Sequence, residues 1–190
     1  MSCTILFPLL LLLFTSATLS EVQQKEKEVQ AKKTEHLTIE ESSALLASEY
    51  KVAFAASLGP GGNVGPFTTD ITLVYKEVFV NEGRAYNSAT GIFTAPVNGV
   101  YYFAFSGHNY SSKPMGLSLY KNGKLMITVY NHPQGARYET ASNSISLTLE
   151  KGDQVYMRLY ANTWVVDSEN DHTTFTGHLL FFSLKALLNS

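Results

Sequence analysis

Between Tyr86 and Phe105 the sequence YNSATGIFTAPVNGVYYFAF carries six aromatic rings, two glycines, one proline and no charged residue. This stretch constrains the fold more than any other. Rings at such density, with no ionisable group beside them, belong to a buried interior and not to a catalytic centre. Tyr101, Phe103 and Phe105 recur at every second position, which places them on one face of a β-strand. Gly91 and Gly99 stand where the chain enters or leaves strands and can accept positive φ. Pro96 sets the connecting turn and stays out of the ladder.

Further strand signals stand on both sides. KVAFAAS (Lys51 to Ser57) reads as a short apolar strand, and VYYFAFS (Val100 to Ser106) as an alternating one. GLSLY (Gly116 to Tyr120) and LMITVY (Leu125 to Tyr130) flank Asn122-Gly123, a hairpin signal because both positions tolerate positive φ. SISLTL (Ser144 to Leu149) turns Ile145, Leu147 and Leu149 inward, and VYMRLY (Val155 to Tyr160) follows after a turn. FTGHLLFFSL (Phe175 to Leu184) has apolar residues on both faces, as a strand covered on both sides would. Strands at this spacing, with no helices alternating between them, argue an all-β sandwich or jelly roll.

The N-terminal quarter has a different texture. Ile5 to Phe14 is a ten-residue apolar run interrupted by Pro8, too short to span a bilayer. Thr18 and Ser20 then precede Glu21 as the small residues of a secretory cleavage site. Residues 1–20 are expected to be a signal peptide, the protein to be secreted and extracellular, and no membrane insertion to follow cleavage. The single cysteine, Cys3, leaves with that segment, so stability must come from packing and assembly without disulfides. Residues 21–47 read as a charged helical or coiled-coil stalk. With Val22, Val29, His36 and Ser43 at heptad position a, and Lys25, Lys32, Ile39 and Leu46 at d, half of the seam is apolar. That pattern leaves two readings open, a weakly oligomerising helix and a partly disordered stalk, the charge run itself reading as a solvated face. Thr38 with Glu41 fits a capping box for a further helical turn.

Signals for chemistry are sparse. The formal net charge of -2 makes no electrostatic case for nucleic acid. No G-x-S-x-G occurs, a cysteine-free mature chain has no thiol nucleophile, and no Walker motif is present. His36, His108, His132, His172 and His178 have no metal-binding spacing. An enzyme is therefore not expected, nor a catalytic residue, resident cofactor or metal. The Asn109-Tyr110-Ser111 sequon follows a strand end in a polar stretch and reads as an exposed, glycosylatable loop. Gly59, Gly62 and Gly65 recur at every third residue, but three triplets are too few for a collagen helix, so GPGGNVGPF reads as a loop.

Asn81, Tyr86, Phe93, Gly99, Tyr101, Phe103 and Phe105 follow one another at the intervals of a known signature, with Tyr75 where the pattern opens on Phe. On these residues the region 48–190 resembles the globular head of complement C1q. The resemblance implies a ten-stranded TNF-like jelly-roll sandwich preceded by the short helical segment, with the signature residues as scaffold. It also implies a homotrimeric recognition module binding an extracellular protein or carbohydrate ligand, in innate immunity or at a cell-surface receptor. A cytokine-like or synapse-organiser-like signalling trimer and a structural matrix component stay open as alternatives. The layout is similar to the short, collagen-less, cerebellin-like members, and the missing N-terminal cysteines argue against a disulfide-linked hexamer. Related heads bind calcium, and DSENDH places Asp167, Glu169 and Asp171 at alternate positions. Those carboxylates read first as a solvated loop tip and second as calcium ligands.

Overall fold

The computed structural model describes residues 20–38, 41 and 51–183. The chain divides into two units, Met1–Leu46 and Ala47–Ser190. The signal peptide expected at 1–20 lies outside the described residues except for Ser20. In the first unit, residues 20–38 form one helix, α1, exposed along its whole length. Its Glu, Lys and Gln are good helix formers. Val22 and Val29, the apolar a positions, remain 52% and 65% exposed, so α1 buries no seam of its own. Thr38 belongs to α1, and its hydroxyl donates back to Glu35 O at 2.8 Å. Ile39, Ser43 and Leu46 lie outside the described residues. Among those residues no helix is long and apolar enough to cross a membrane.

The second unit is a two-sheet jelly roll. Its elements are β1 (Ala53–Ser57), β2 (Gly62–Val64), β3 (Ile71–Thr72), β4 (Glu77–Glu82), β5 (Tyr86–Asn87), β6 (Ile92–Thr94) and β7 (Gly99–Tyr110). They continue as β8 (Met115–Lys121), β9 (Lys124–Asn131), β10 (Tyr138–Leu149), β11 (Gln154–Leu159), β12 (Val165–Asp167) and β13 (Thr174–Phe182). Among the described residues thirteen strands make up the jelly roll expected with ten, several of them pieces of two or three residues. One sheet runs β2-β12-β7-β13-β1-β4, with β10 also on β7, and the other runs β5-β6-β11-β8-β9, with β3 also on β11. β10 lines β7 from Gly99 to Tyr110. On the other side of β7, β13 pairs as far as Phe105 and β12 takes over at His108.

The aromatic stretch fills the space between the sheets. Tyr75, Phe93, Tyr101, Phe103 and Phe175 are fully buried, with Phe54, Tyr86 and Phe105 nearly so. Phe93 meets Phe103 edge-on at 5.2 Å, and Phe54 stacks on Tyr86 at 4.7 Å with the rings 5° apart. Leu117, Leu119, Val155, Met157 and Leu159 cover the other side. Asn122 and Gly123 turn the β8–β9 hairpin with φ of 48° and 81°, as the dipeptide predicts. Leu147 and Leu149 are buried.

Three details differ from expectation. Gly91 takes φ +76°, but Gly99 does not; a Cβ at Gly99 would lie 2.7 Å from Leu179 Cδ1 and from Phe181 O, so it is needed for room and not for φ. Within one chain β13 is covered on one face only towards its end: its register shifts after Leu179, and Leu180 and Phe181 stand 47% and 60% exposed. GPGGNVGPF is a loop that contains a short strand, β2, paired to β12.

Phe103 is seated over Gly177, where a Cβ would come within 2.5 Å of its ring. Phe103→Ala is expected to lower stability by about 3–5 kcal/mol in urea unfolding. Gly177→Ala is expected to destabilise as well, and the two together by less than their sum, because the smaller side chain makes room for the new methyl. A loss below about 1 kcal/mol for Phe103→Ala would contradict this packing.

Candidate recognition surfaces

The signature residues form a structural stitch as well as a core. Asn81 Nδ2 donates to Tyr86 O at 2.7 Å, and Tyr86 N donates to Asn81 Oδ1 at 3.2 Å. The Tyr86 hydroxyl donates to Tyr75 O at 2.9 Å and accepts from Tyr75 N at 3.1 Å. A side-chain amide and a phenol thus supply the bonds that a strand partner would otherwise provide. Burial pushes the Tyr86 phenol up to about 12, its bond to Tyr75 opposing. The Tyr101 phenol is likewise pushed up to about 12 by burial, opposed by its bond to Val97 O. Neither ionises near neutral pH. The Tyr75 hydroxyl, by contrast, is buried and makes no hydrogen bond, and burial raises its pKa strongly.

Outside the core lies a broad face on β7, β10, β13 and β1. Register places Tyr102, Ser146 and His178 in one row, and Ala104, Ser144, Thr176 and Ala55 in the next. Ser106, Ser142 and Thr174 also line its shallow cleft of about 470 Å³. Val80 sits opposite Ala55 at one margin, and Phe181 opposite Val100 at another. Small side chains at the centre with exposed apolar ones at the rim leave a surface that another backbone can approach closely.

At the far end of this face lies a second cleft, of about 270 Å³, lined by His108, Tyr138, Val166, Asp167, Ser168 and His172. The His108 and His172 rings stack at 4.3 Å. His108 also stacks on Tyr138 at 5.2 Å with the planes 6° apart, and its Nδ1 is 2.7 Å from Thr140 Oγ1. Burial lowers the His108 pKa from its ordinary value, the neighbouring His172 lowers it further, and Asp167 pulls it upward. These two histidines are 64 residues apart in sequence, and no local pattern announces their pairing. The one hint is that His108 continues the outward register of β7.

The acidic loop is not the solvated tip that its spacing suggests. Asp167 is 3% exposed. Its Oδ1 accepts from Ser168 N at 2.9 Å, His172 N at 2.8 Å and Thr173 N at 3.4 Å, so it organises the loop from inside. Its Oδ2 is buried without a hydrogen bond. Asp171 Oδ1 accepts from Ser57 Oγ at 2.5 Å, and Glu169 is exposed. Alternate spacing does not bring the three carboxylates together. Among the described residues, no three His, Cys, Asp or Glu side chains converge as metal ligands.

Asn109 is not in an exposed loop either. β7 runs through it to Tyr110, and its side chain is 1% exposed in all. Its Nδ2 donates to Lys113 O at 2.8 Å, while its Oδ1 accepts from Asn131 Nδ2 at 3.1 Å. A glycan on that nitrogen would break these bonds and would not fit the fold. The protein recovered from a secreting cell line is therefore expected to show the same mobility before and after peptide N-glycosidase. A shift of one glycan, lost on Asn109→Gln, would refute this.

The C1q domain family model matches residues 53–180. Caprin-2 of Danio rerio is 32% identical over 135 residues, 70% of this chain and 14% of that protein. Human Complement C1q tumor necrosis factor-related protein 3 is 31% identical over 134 residues, 70% of this chain and 52% of that protein. The chain thus spans about half or less of the length of these relatives. Among solved structures, the globular domain of zebrafish Complement 1qA protein superposes with a TM-score of 0.54 at 19% identity, covering 70% of this chain and 100% of the other.

Proposed function

The chain belongs to the C1q-domain family, and on that premise we propose that it is a secreted, non-enzymatic recognition module that works as a homotrimer and binds an extracellular protein or carbohydrate. In this reading residues 1–20 direct export, 21–47 form an accessory stalk and 48–190 form the head. The signature residues Tyr75, Asn81, Tyr86, Phe93, Gly99, Tyr101, Phe103 and Phe105 hold the head together and leave ligand contact to the surface. The observation that carries the proposal is the broad outer face of β7, β10 and β13. Ala104, Ser144 and Thr176 occupy its centre, while Leu180 and Phe181 stay exposed beside it. Full burial of such a Leu or Phe contributes roughly 1.5–3 kcal/mol, which a lone chain forgoes. Closed symmetric assembly covers the same patch in every copy.

Sedimentation equilibrium of the mature chain at micromolar concentration is expected to give three times the monomer mass. Ser144→Arg with Thr176→Arg, at the centre of the face, is expected to give monomers with an unchanged circular dichroism spectrum. A wild-type monomer, or a trimer indifferent to both arginines, would overturn the assignment of this face.

A further inference from the structure

The His108–His172 cleft has a construction that the assembly face does not require. Four rings stand in a row. Tyr110 meets Tyr138 at 5.1 Å, Tyr138 stacks on His108 at 5.2 Å, and His108 stacks on His172 at 4.3 Å. The backbone of His172 is clamped at both ends of its peptide, since its N–H donates to Asp167 Oδ1 and its carbonyl accepts from Ser106 Oγ at 2.6 Å. His108 is held as firmly, with its N–H donating to Thr173 Oγ1 at 3.1 Å while that hydroxyl donates to Val166 O at 2.6 Å. These bonds hold the two backbones side by side, and the His108 ring is further tied to Thr140 Oγ1, so the 168–173 loop and β7 keep the stacked rings facing each other.

The charges around the pair are few. β12 contributes Asp167, whose Oδ1 is committed to three backbone N–H groups and whose Oδ2 is buried and unbonded. β10 contributes Tyr138 and Thr140, and the nearby Glu139 is tied to Arg137 Nε at 2.8 Å. The loop contributes Asp171, turned to Ser57, and the exposed Glu169. No lysine lines the cleft. One imidazolium would find compensation in Asp167. A second would face the first across stacked rings, and nothing in the cleft offsets it.

We propose that His108 and His172 form a proton-operated latch, which holds the 168–173 loop against β7 at neutral pH and releases it in mild acid. The direction follows from linkage. The folded His108 pKa lies below the ordinary 6.5, through burial first and His172 second, so the folded state binds fewer protons than the unfolded one. The stability this contributes is present above the ordinary histidine pKa and is lost as pH falls through it toward the folded value. The latch is contained in one chain and does not rest on the assembly proposed above.

Histidine ring-proton NMR of the mature chain tests it, together with amide exchange corrected for the intrinsic rate. His108 is expected to titrate below the ordinary value. His172→Gln, which removes the opposing charge at an exposed ring, is expected to raise the His108 midpoint. Between about pH 7.5 and about pH 5.5, protection of the Ser168, His172 and Thr173 amides is expected to fall by a larger factor than that of β8 and β11, within the roughly tenfold ceiling that one histidine can contribute across this range. That excess is expected to shrink in His172→Gln. A His108 midpoint at or above the ordinary value, or one indifferent to His172→Gln, would overturn the latch. Equal loss of protection in loop and core would overturn it too.

Discussion

The seating of Phe103 on Gly177 is the contact on which the rest of the head depends. Face-packed sheets stand about 10 Å apart, a gap that a row of rings from one strand fills only where the neighbouring strand gives way. β13 gives way at Gly177, where a side chain would collide with both Phe103 and Phe54. Phe103 then reaches Phe93 of the opposite sheet, Phe93 meets Tyr101 at 5.5 Å, and Phe54 closes the row onto Tyr86 and Phe175. With no disulfide among the described residues, this ring network and the ladders around it supply the cohesion. Because strands alternate, every ring turned inward places its sequence neighbour on the outer face. The outer surface of β7, with Ala104 and Ser106 at its middle, is thus the reverse side of its aromatic inner one.

That alternation is why so much of the fold was legible. Alternating runs located β7 and β10, short apolar runs between turn signals located β1, β8, β9, β11 and β13, and Asn122-Gly123 located a turn, because these signals act between residues near in sequence. The misreadings share a physical origin. Asn109 looked exposed because polar residues follow it, yet its bonds go to Lys113 O and to Asn131 on β9. Asp167 looked solvated because acids alternate around it, yet its partners are N–H groups up to six residues onward. The two apolar faces of β13 do not say where its register shifts, which leaves Leu180 and Phe181 exposed within one chain. The His108–His172 pair depends on which strand end meets which loop, a property of topology that no window of sequence contains.

The signature itself reads differently once the hydrogen bonds are visible. Phe93, Phe103 and Phe105 are interchangeable in kind with other large apolar residues, since area and shape are what they contribute. Asn81 and Tyr86 are not. The amide of Asn81 needs both a donor and an acceptor to pair with the Tyr86 backbone. The Tyr86 phenol likewise serves both N and O of Tyr75. Aspartate or leucine at Asn81, or phenylalanine at Tyr86, would leave buried backbone groups unpaired, at about 1–3 kcal/mol each. The most informative members of the pattern are therefore its polar ones.

Tyr75 brings these strands of reasoning together. Its ring fills the core as a phenylalanine would, against Phe175 at 5.7 Å, so its hydroxyl adds nothing to packing. That hydroxyl is buried without a hydrogen bond, as is Asp167 Oδ2. The two are close enough that the Asp167 charge contributes to raising the Tyr75 pKa, after burial and Tyr86. Two unpaired polar groups in one interior cost stability that an apolar pair would not. Local departures from a consistent core concentrate where a structure does something besides fold. Here the departure lies directly beneath the loop that carries His172. The carboxylate that gives one oxygen to the loop backbone also pulls the His108 pKa upward, against the larger effects of burial and His172.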